Sequence, residues 1–202
     1  MPNLRDIIAP FALIPDITFA VNKQISIMPT YKQTEFLARW RALRGYAPLR
    51  DDAIVSAADL PDMNMILRAE MDEWYTRLLL EGDPHLLEPE NIAGDVVMPP
   101  PVDGCVTIGL PPGTVRVLSV RLSGWCAPAT VITDSGCAEA LRQNHPFTRA
   151  GASAPVAISG TDGSLRLSPV TAGDTLVSLV CVIRREGLYT MHPSALASIV
   201  RI

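Results

Sequence analysis

The stretch Val96-Val97-Met98-Pro99-Pro100-Pro101 divides the sequence into two halves of different character. Three consecutive prolines hold the backbone extended and end any helix that reaches them. Before this junction the apolar residues recur at helical spacing. After it they fall in short runs separated by turn residues. That segregation makes the expected class α+β.

Upstream, Thr34-Glu35-Phe36-Leu37-Ala38-Arg39-Trp40-Arg41-Ala42-Leu43 places Phe36, Leu37, Trp40 and Leu43 on one face. Thr34 is the expected cap, Glu35 favours the positive helix end, and Gly45 suits the stop. Asp51 and Asp52 can begin a short second helix through Ala58. The clearest helix follows Asp59-Leu60-Pro61, where proline near a helix start is tolerated. In it Met63, Leu67, Met71, Trp74 and Leu78 form a stripe that ends near Gly82, with a Glu73–Arg77 pair on another face.

Downstream, the expected strands are Cys105–Leu110, Thr114–Leu122, Thr130–Thr133, Ala154–Ser159, Ser164–Leu167 and Thr175–Arg185. Pro111-Pro112-Gly113 reads as a turn and Asp162-Gly163 as a tight hairpin. Ser135 can cap a short helix running through Ala140 to Gln143. Pro193 to Ile202 looks helical and is expected to pack back on the N-terminal helices. The expected architecture is therefore an N-terminal helical bundle, then an antiparallel β-sandwich or barrel-like domain, then a short C-terminal helix. In residue numbers this gives an extended arm at 1–29, a helical part at 30–94, a β-rich domain at 95–187 and a helical segment at 188–202.

The arm is apolar yet punctuated by Pro2, Pro10, Pro15 and Pro29, which forbid a long helix. Ile17-Thr18-Phe19-Ala20-Val21 has strand character. An arm this apolar is expected to lie on the body or on a neighbouring subunit, and removing residues 1–29 is expected to impair assembly while leaving the fold intact. Asp6, Pro10, Pro15 and Asp16 also make it a poor signal peptide. Mean hydropathy is +0.22, high for a monomer, while no apolar run approaches the roughly 18–20 residues of a membrane span. Apolar surface hidden by self-association is the expectation that remains.

Composition excludes other classes. Hydrophobic residues make up 48% of the 202, enough for a substantial core. A net charge of −4 gives no support to a nucleic-acid binder with a basic face. Cys105, Cys126, Cys137 and Cys181 lie far apart, so they read as buried, reduced thiols and not as a zinc site. His85, His145 and His192 each lie close to a proline, where loop or capping roles are expected. Ser123-Gly124, Ser135-Gly136 and Ser159-Gly160 are turns, with no Gly-x-Ser-x-Gly. Asp51-Asp52 reads as a helix start, and Glu70 with Glu73 as a solvated helix face. No phosphate-binding glycine motif is present. The sequence points to no catalytic residue, no cofactor and no metal, hence to a non-enzymatic assembly protein. Candidate contact residues are Phe11, Phe19, Trp125, Phe147 and Ile202. For Trp125 the core is the first reading and a subunit contact the second.

The order of the downstream segments carries a resemblance. Val115-Arg116-Val117-Leu118-Ser119-Val120-Arg121-Leu122-Ser123-Gly124-Trp125 comes first, followed by Leu141-Arg142-Gln143-Asn144-His145-Pro146-Phe147-Thr148-Arg149-Ala150 and Ala154-Pro155-Val156-Ala157-Ile158. Gly163-Ser164-Leu165-Arg166-Leu167-Ser168-Pro169 and Asp174-Thr175-Leu176-Val177-Ser178-Leu179-Val180 complete it. This order, over roughly residues 60–185, resembles the head-to-tail adaptor, or ring, proteins of tailed bacteriophages. The resemblance implies a twelve-fold homo-oligomeric ring at the head–tail junction of a virion, made in the host cytoplasm. It implies the portal protein and tail or nozzle proteins as partners, DNA passing the lumen without sequence-specific binding, and no membrane. The short C-terminal helix and the apolar arm depart from the family pattern at the portal-docking segment. Rival expectations are another virion subunit (tail-tube, tail-completion or baseplate) and a small-molecule-binding or enzymatic α+β domain with polar groups converging in a cleft near His85 or His145.

Overall fold

The computed structural model describes residues 28–46 and 63–201. The fold is mixed α+β. The expected arm and the expected helix at Asp51–Ala58 lie outside the described residues, as do Phe11, Phe19 and Ile202.

Strand β1 (Thr30–Lys32) leads directly into helix α1 (Gln33–Leu43). Thr34 is not the cap, because the helix starts one residue before it. Lys32 takes the cap position and its N–H donates to the Glu35 carboxylate at 3.1 Å. At the other end Gly45 has φ +75°, the left-handed geometry that closes helices, and the Tyr46 N–H donates to the Arg41 carbonyl at 2.9 Å. Helix α2 (Met63–Glu81) buries Leu67, Met71, Trp74, Tyr75 and Leu79. The expected stripe holds from Leu67 onward, while Met63 is 50% exposed and Leu78 half-buried. Tyr75 and Leu79 widen the buried face, since a helix seated against a strand layer needs more than a narrow seam.

The helices do not form a bundle by themselves. Phe36, Trp40 and Trp74 pack with Tyr189 of strand β9 (Leu188–Thr190), and the Phe36–Tyr189 ring centroids are 4.9 Å apart. β1 pairs antiparallel with β9. Ala195 and Ile199 of the C-terminal 3-10 helix (Pro193–Arg201) join the same cluster, so the chain end packs back as expected but in the tighter helical form. Two described helices expose too little apolar surface to cover one another, and strand residues complete their core.

The remaining strands are β2 (Glu90–Asn91), β3 (Val106–Gly109), β4 (Thr114–Leu122), β5 (Thr130–Ile132), β6 (Val156–Ser159), β7 (Ser164–Ser168) and β8 (Leu176–Ile183). They form one sheet in the order β2-β8-β4 and another in the order β3-β7-β6-β5. The hairpin between β6 and β7 turns on Gly163 at φ +75°. There the Ser164 N–H and hydroxyl both donate to the Asp162 carboxylate, which lowers that carboxyl's pKa. A purely antiparallel arrangement is overturned at one place, since β5 and β6 pair in parallel. Parallel neighbours need a crossover, and residues 133–155 supply it, carrying helix α3 (Ala138–Arg142). Cys137, not Ser135, caps that helix, its sulfur accepting from the Ala140 N–H at 3.4 Å.

Alternation along three strands stacks the cores. On β4, Val115 and Leu118 face the helical cluster, while Val117, Val120 and Leu122 face the second sheet. β8 divides likewise, with Val182 on the helical side and Leu179 and Cys181 between the sheets. On β6, Ala157 points between the sheets, whereas Val156 and Ile158 point to Ala140 of α3. The layer order is thus helices, three-stranded sheet, four-stranded sheet, α3.

Candidate functional surface

Polar ties that hold the layers together account for most of the charged clusters. Tyr189 donates from its hydroxyl to Asp72 at 2.5 Å, and Arg184 reaches Thr76 at 2.7 Å and Asp72 at 3.4 Å. Burial, with the Asp72 carboxylate beside it, pushes the Tyr189 phenol up to about 12. The Tyr75 hydroxyl receives the Thr190 N–H at 3.1 Å, and burial raises this phenol too. Arg116 donates to the carbonyls of Leu80 and Gly82, each at 2.8 Å, satisfying the free C-terminal end of α2. Glu73 and Arg77 meet at 3.0 Å on the exposed face of α2, as their spacing predicts.

The residues singled out as chemically interesting are dispersed. His85 lies in a 3-10 turn (Pro84–Leu86), His145 in the loop after α3, and His192 accepts from the Ser194 N–H at 3.3 Å. All four cysteines are free. Cys105 and Cys181 are buried, and burial pushes the Cys181 thiol up to about 11, where it stays protonated and unreactive. Cys126 is exposed and Cys137 half-buried, against the expectation of four buried thiols; Cys126 sits in an irregular segment, and Cys137 caps α3 at the edge of the Ala140 cluster. Among the described residues no group of three His, Cys, Asp or Glu could hold a metal ion, and no helix is long and apolar enough to cross a membrane.

Two of the clefts with polar side chains bear on the charged residues of the helices and of the crossover. One of about 230 Å³ between α1 and α2 is lined by Trp40, Arg44, Glu70, Glu73, Trp74 and Arg77. There the Trp40 indole N–H and one Glu70 carboxylate oxygen are buried without a hydrogen-bond partner, Arg44 standing 3.7 Å from Glu70. The second, of about 490 Å³, lies beside the triproline junction and holds Cys105, Arg149 and Arg166. Arg166 is occupied by the Asn144 side chain at 2.7 Å, and Arg149 by the carbonyls of Gln143 and Asp103. These guanidinium groups act as braces.

What they brace is the loop after α3. Gln143 is 3% exposed; its amide donates to the Glu139 carbonyl at 3.1 Å and its oxygen accepts the Ala150 N–H at 2.9 Å. The Thr148 hydroxyl donates to the Arg142 carbonyl at 2.8 Å. A segment tied at this many points is ordered by its own hydrogen bonds, yet it leaves Phe147 at 100% exposure. Leu141, Val97 and Val102 add further exposed apolar side chains.

Trp125 is placed in the opposite way. It is 3% exposed, belongs to the core between the sheets, and donates its indole N–H to the Pro169 carbonyl at 2.6 Å. Almost none of its surface is left for a partner, which agrees with the first reading of that residue. The bracing by Gln143 had no sequence signal beyond the residue type, because its partners are set by how the crossover loops back.

No protein-family model matches this chain, and no curated protein matches it.

Proposed function

We propose that the chain is a non-enzymatic, self-associating virion subunit of the head-to-tail adaptor type, forming a ring beneath the portal through which DNA passes. In this reading the helical side serves as the bundle and the paired sheets as the sandwich. The portal and tail proteins are its partners, and the head–tail junction is its place. The observation that carries the reading is the braced loop. It lies in the arginine- and asparagine-containing stretch of the resemblance, and it holds Phe147 wholly in solvent. An ordered loop that exposes its largest apolar side chain has the form of an interface anchor. Further support comes from the order of elements along the chain, in which β4 is followed by β5, α3, β6, β7 and β8, matching the order of segments in the resemblance.

Light scattering and negative-stain microscopy of the purified chain, alone and with tail-less head particles, test the proposal. A ring of about a dozen copies, or density at the head–tail junction, is the expected result. A chain that stays monomeric alone and binds no head particle overturns it.

A further inference from the structure

The two outermost layers carry complementary features. On the α3 side, Phe147 projects from its braced loop beside Arg142, whose backbone carbonyl holds Thr148. Arg142 is exposed and its guanidinium has no partner among the described residues. On the helical side, Trp74, Leu78, Gly82 and Ser198 form a mostly apolar notch of about 300 Å³ between α2 and the C-terminal 3-10 helix, rimmed by Arg77 and Glu81. The Glu81 carboxylate is exposed and likewise without a partner among the described residues. At Gly82 a Cβ would sit 2.3 Å from the Leu78 carbonyl oxygen, so the end of α2 beside the notch accepts no side chain there. Two sheets separate the knob from the notch, so the two cannot meet within one molecule.

We propose that Phe147 of one copy seats in the Trp74–Leu78–Ser198 notch of the next, with Arg142 facing Glu81 across the contact. The inference rests on the self-association reading above and names its contact. A phenylalanine ring fits a space of this size, and its removal from water supplies the association energy. The charge pair at the rim fixes orientation and excludes the reversed approach. Because knob and notch are different surfaces on opposite layers, the contact is heterologous. Every copy then offers one of each to its neighbours, and repetition closes into a ring or runs on as a filament.

The test uses the full chain in sedimentation velocity, with circular dichroism to verify folding. Phe147→Asp removes the knob and keeps the notch; Ser198→Trp fills the notch and keeps the knob. Each alone is expected to weaken self-association by about thirtyfold or more, as for a truncated hot-spot residue. Mixed in equal amounts they form dimers that grow no further, since each dimer has one usable contact. Arg142→Glu alone weakens association, and combining it with Glu81→Arg restores it; this pair decides the matter if Ser198→Trp fails to fold. A wild-type chain that assembles while Phe147→Asp assembles equally well overturns this contact and leaves the self-association reading standing. Folded single variants that never pair when mixed, or a double charge swap that rescues nothing, overturn the partnering of knob with notch. A wild-type chain that is monomeric alone and on tail-less heads removes both.

Discussion

Trp125 and Phe147 are aromatic residues in irregular segments of the β-rich half, and both are candidate contact residues by sequence. The fold treats them oppositely. The Trp125 ring fills the space between two sheets and its one polar atom is bonded to Pro169. The Phe147 ring touches solvent on every side while the backbone around it is tied down. A core aromatic is held by its side chain, whereas a presented aromatic is held by its neighbours. Exposure alone does not mark a contact residue, since a floppy loop exposes side chains too. What singles out Phe147 is exposure joined to order.

That contrast can be broken by experiment. Trp125→Ala leaves a cavity and an unpaired carbonyl, and a loss of about 3–5 kcal/mol in denaturant unfolding is expected. A loss below about 1 kcal/mol, the range of ordinary surface changes, would mean that the ring is not a core element. Gln143→Ala strips the brace from the loop and orphans the Ala150 N–H, at an expected cost of about 1–3 kcal/mol. Faster hydrogen exchange at Ala150, with the sheet amides unchanged, would show the effect confined to the loop. Phe147→Ala should change stability by less than about 0.5 kcal/mol while weakening assembly, a separation that unfolding and sedimentation measured together would reveal.

Tyr189 belongs with Trp125, a buried ring with a bonded polar end, and pH sharpens the comparison there. Its phenol ionises near 10.0 when unfolded and only at about 12 in the fold. Folding therefore retains a proton that the unfolded chain loses, so this contribution is complete below pH 10.0 and is lost as pH rises toward about 12. Tyr75 shifts in the same direction. Melting temperatures across that window should fall more steeply for the wild type than for Tyr189→Phe. Equal slopes would place the Tyr189 hydroxyl in water.

Much of the β half was legible because its strands alternate or run apolar for long enough to show a period. The Thr114–Leu122 run coincides with β4 at both ends, and Ser164–Leu167 falls one residue short of β7. Of the four shortest described strands only β5 was legible. Thr30-Tyr31-Lys32, Glu90-Asn91 and Leu188-Tyr189-Thr190 are two or three residues long, and only their pairing partners make them strands. The parallel β5–β6 pair was hidden for a related reason. A crossover reads as loop and helix, and nothing local says that it returns to the neighbouring edge. The proposed contact surface was half visible. Phe147 could be named from its position, but the brace depends on Asn144 meeting Arg166, 22 residues later in the chain.

By itself the sequence determined the α+β class, the triproline junction, six of the nine strands among the described residues and the absence of known catalytic spacing. These follow from near-neighbour physics, namely turn geometry, proline's fixed torsion and hydrophobic period. Tertiary structure alone decided that a helical core is finished by strand β9, that β5 and β6 pair in parallel, and that Gln143 and Arg166 tie down the loop around Phe147. Those outcomes depend on which surfaces meet after the chain returns on itself, and no local pattern carries that information.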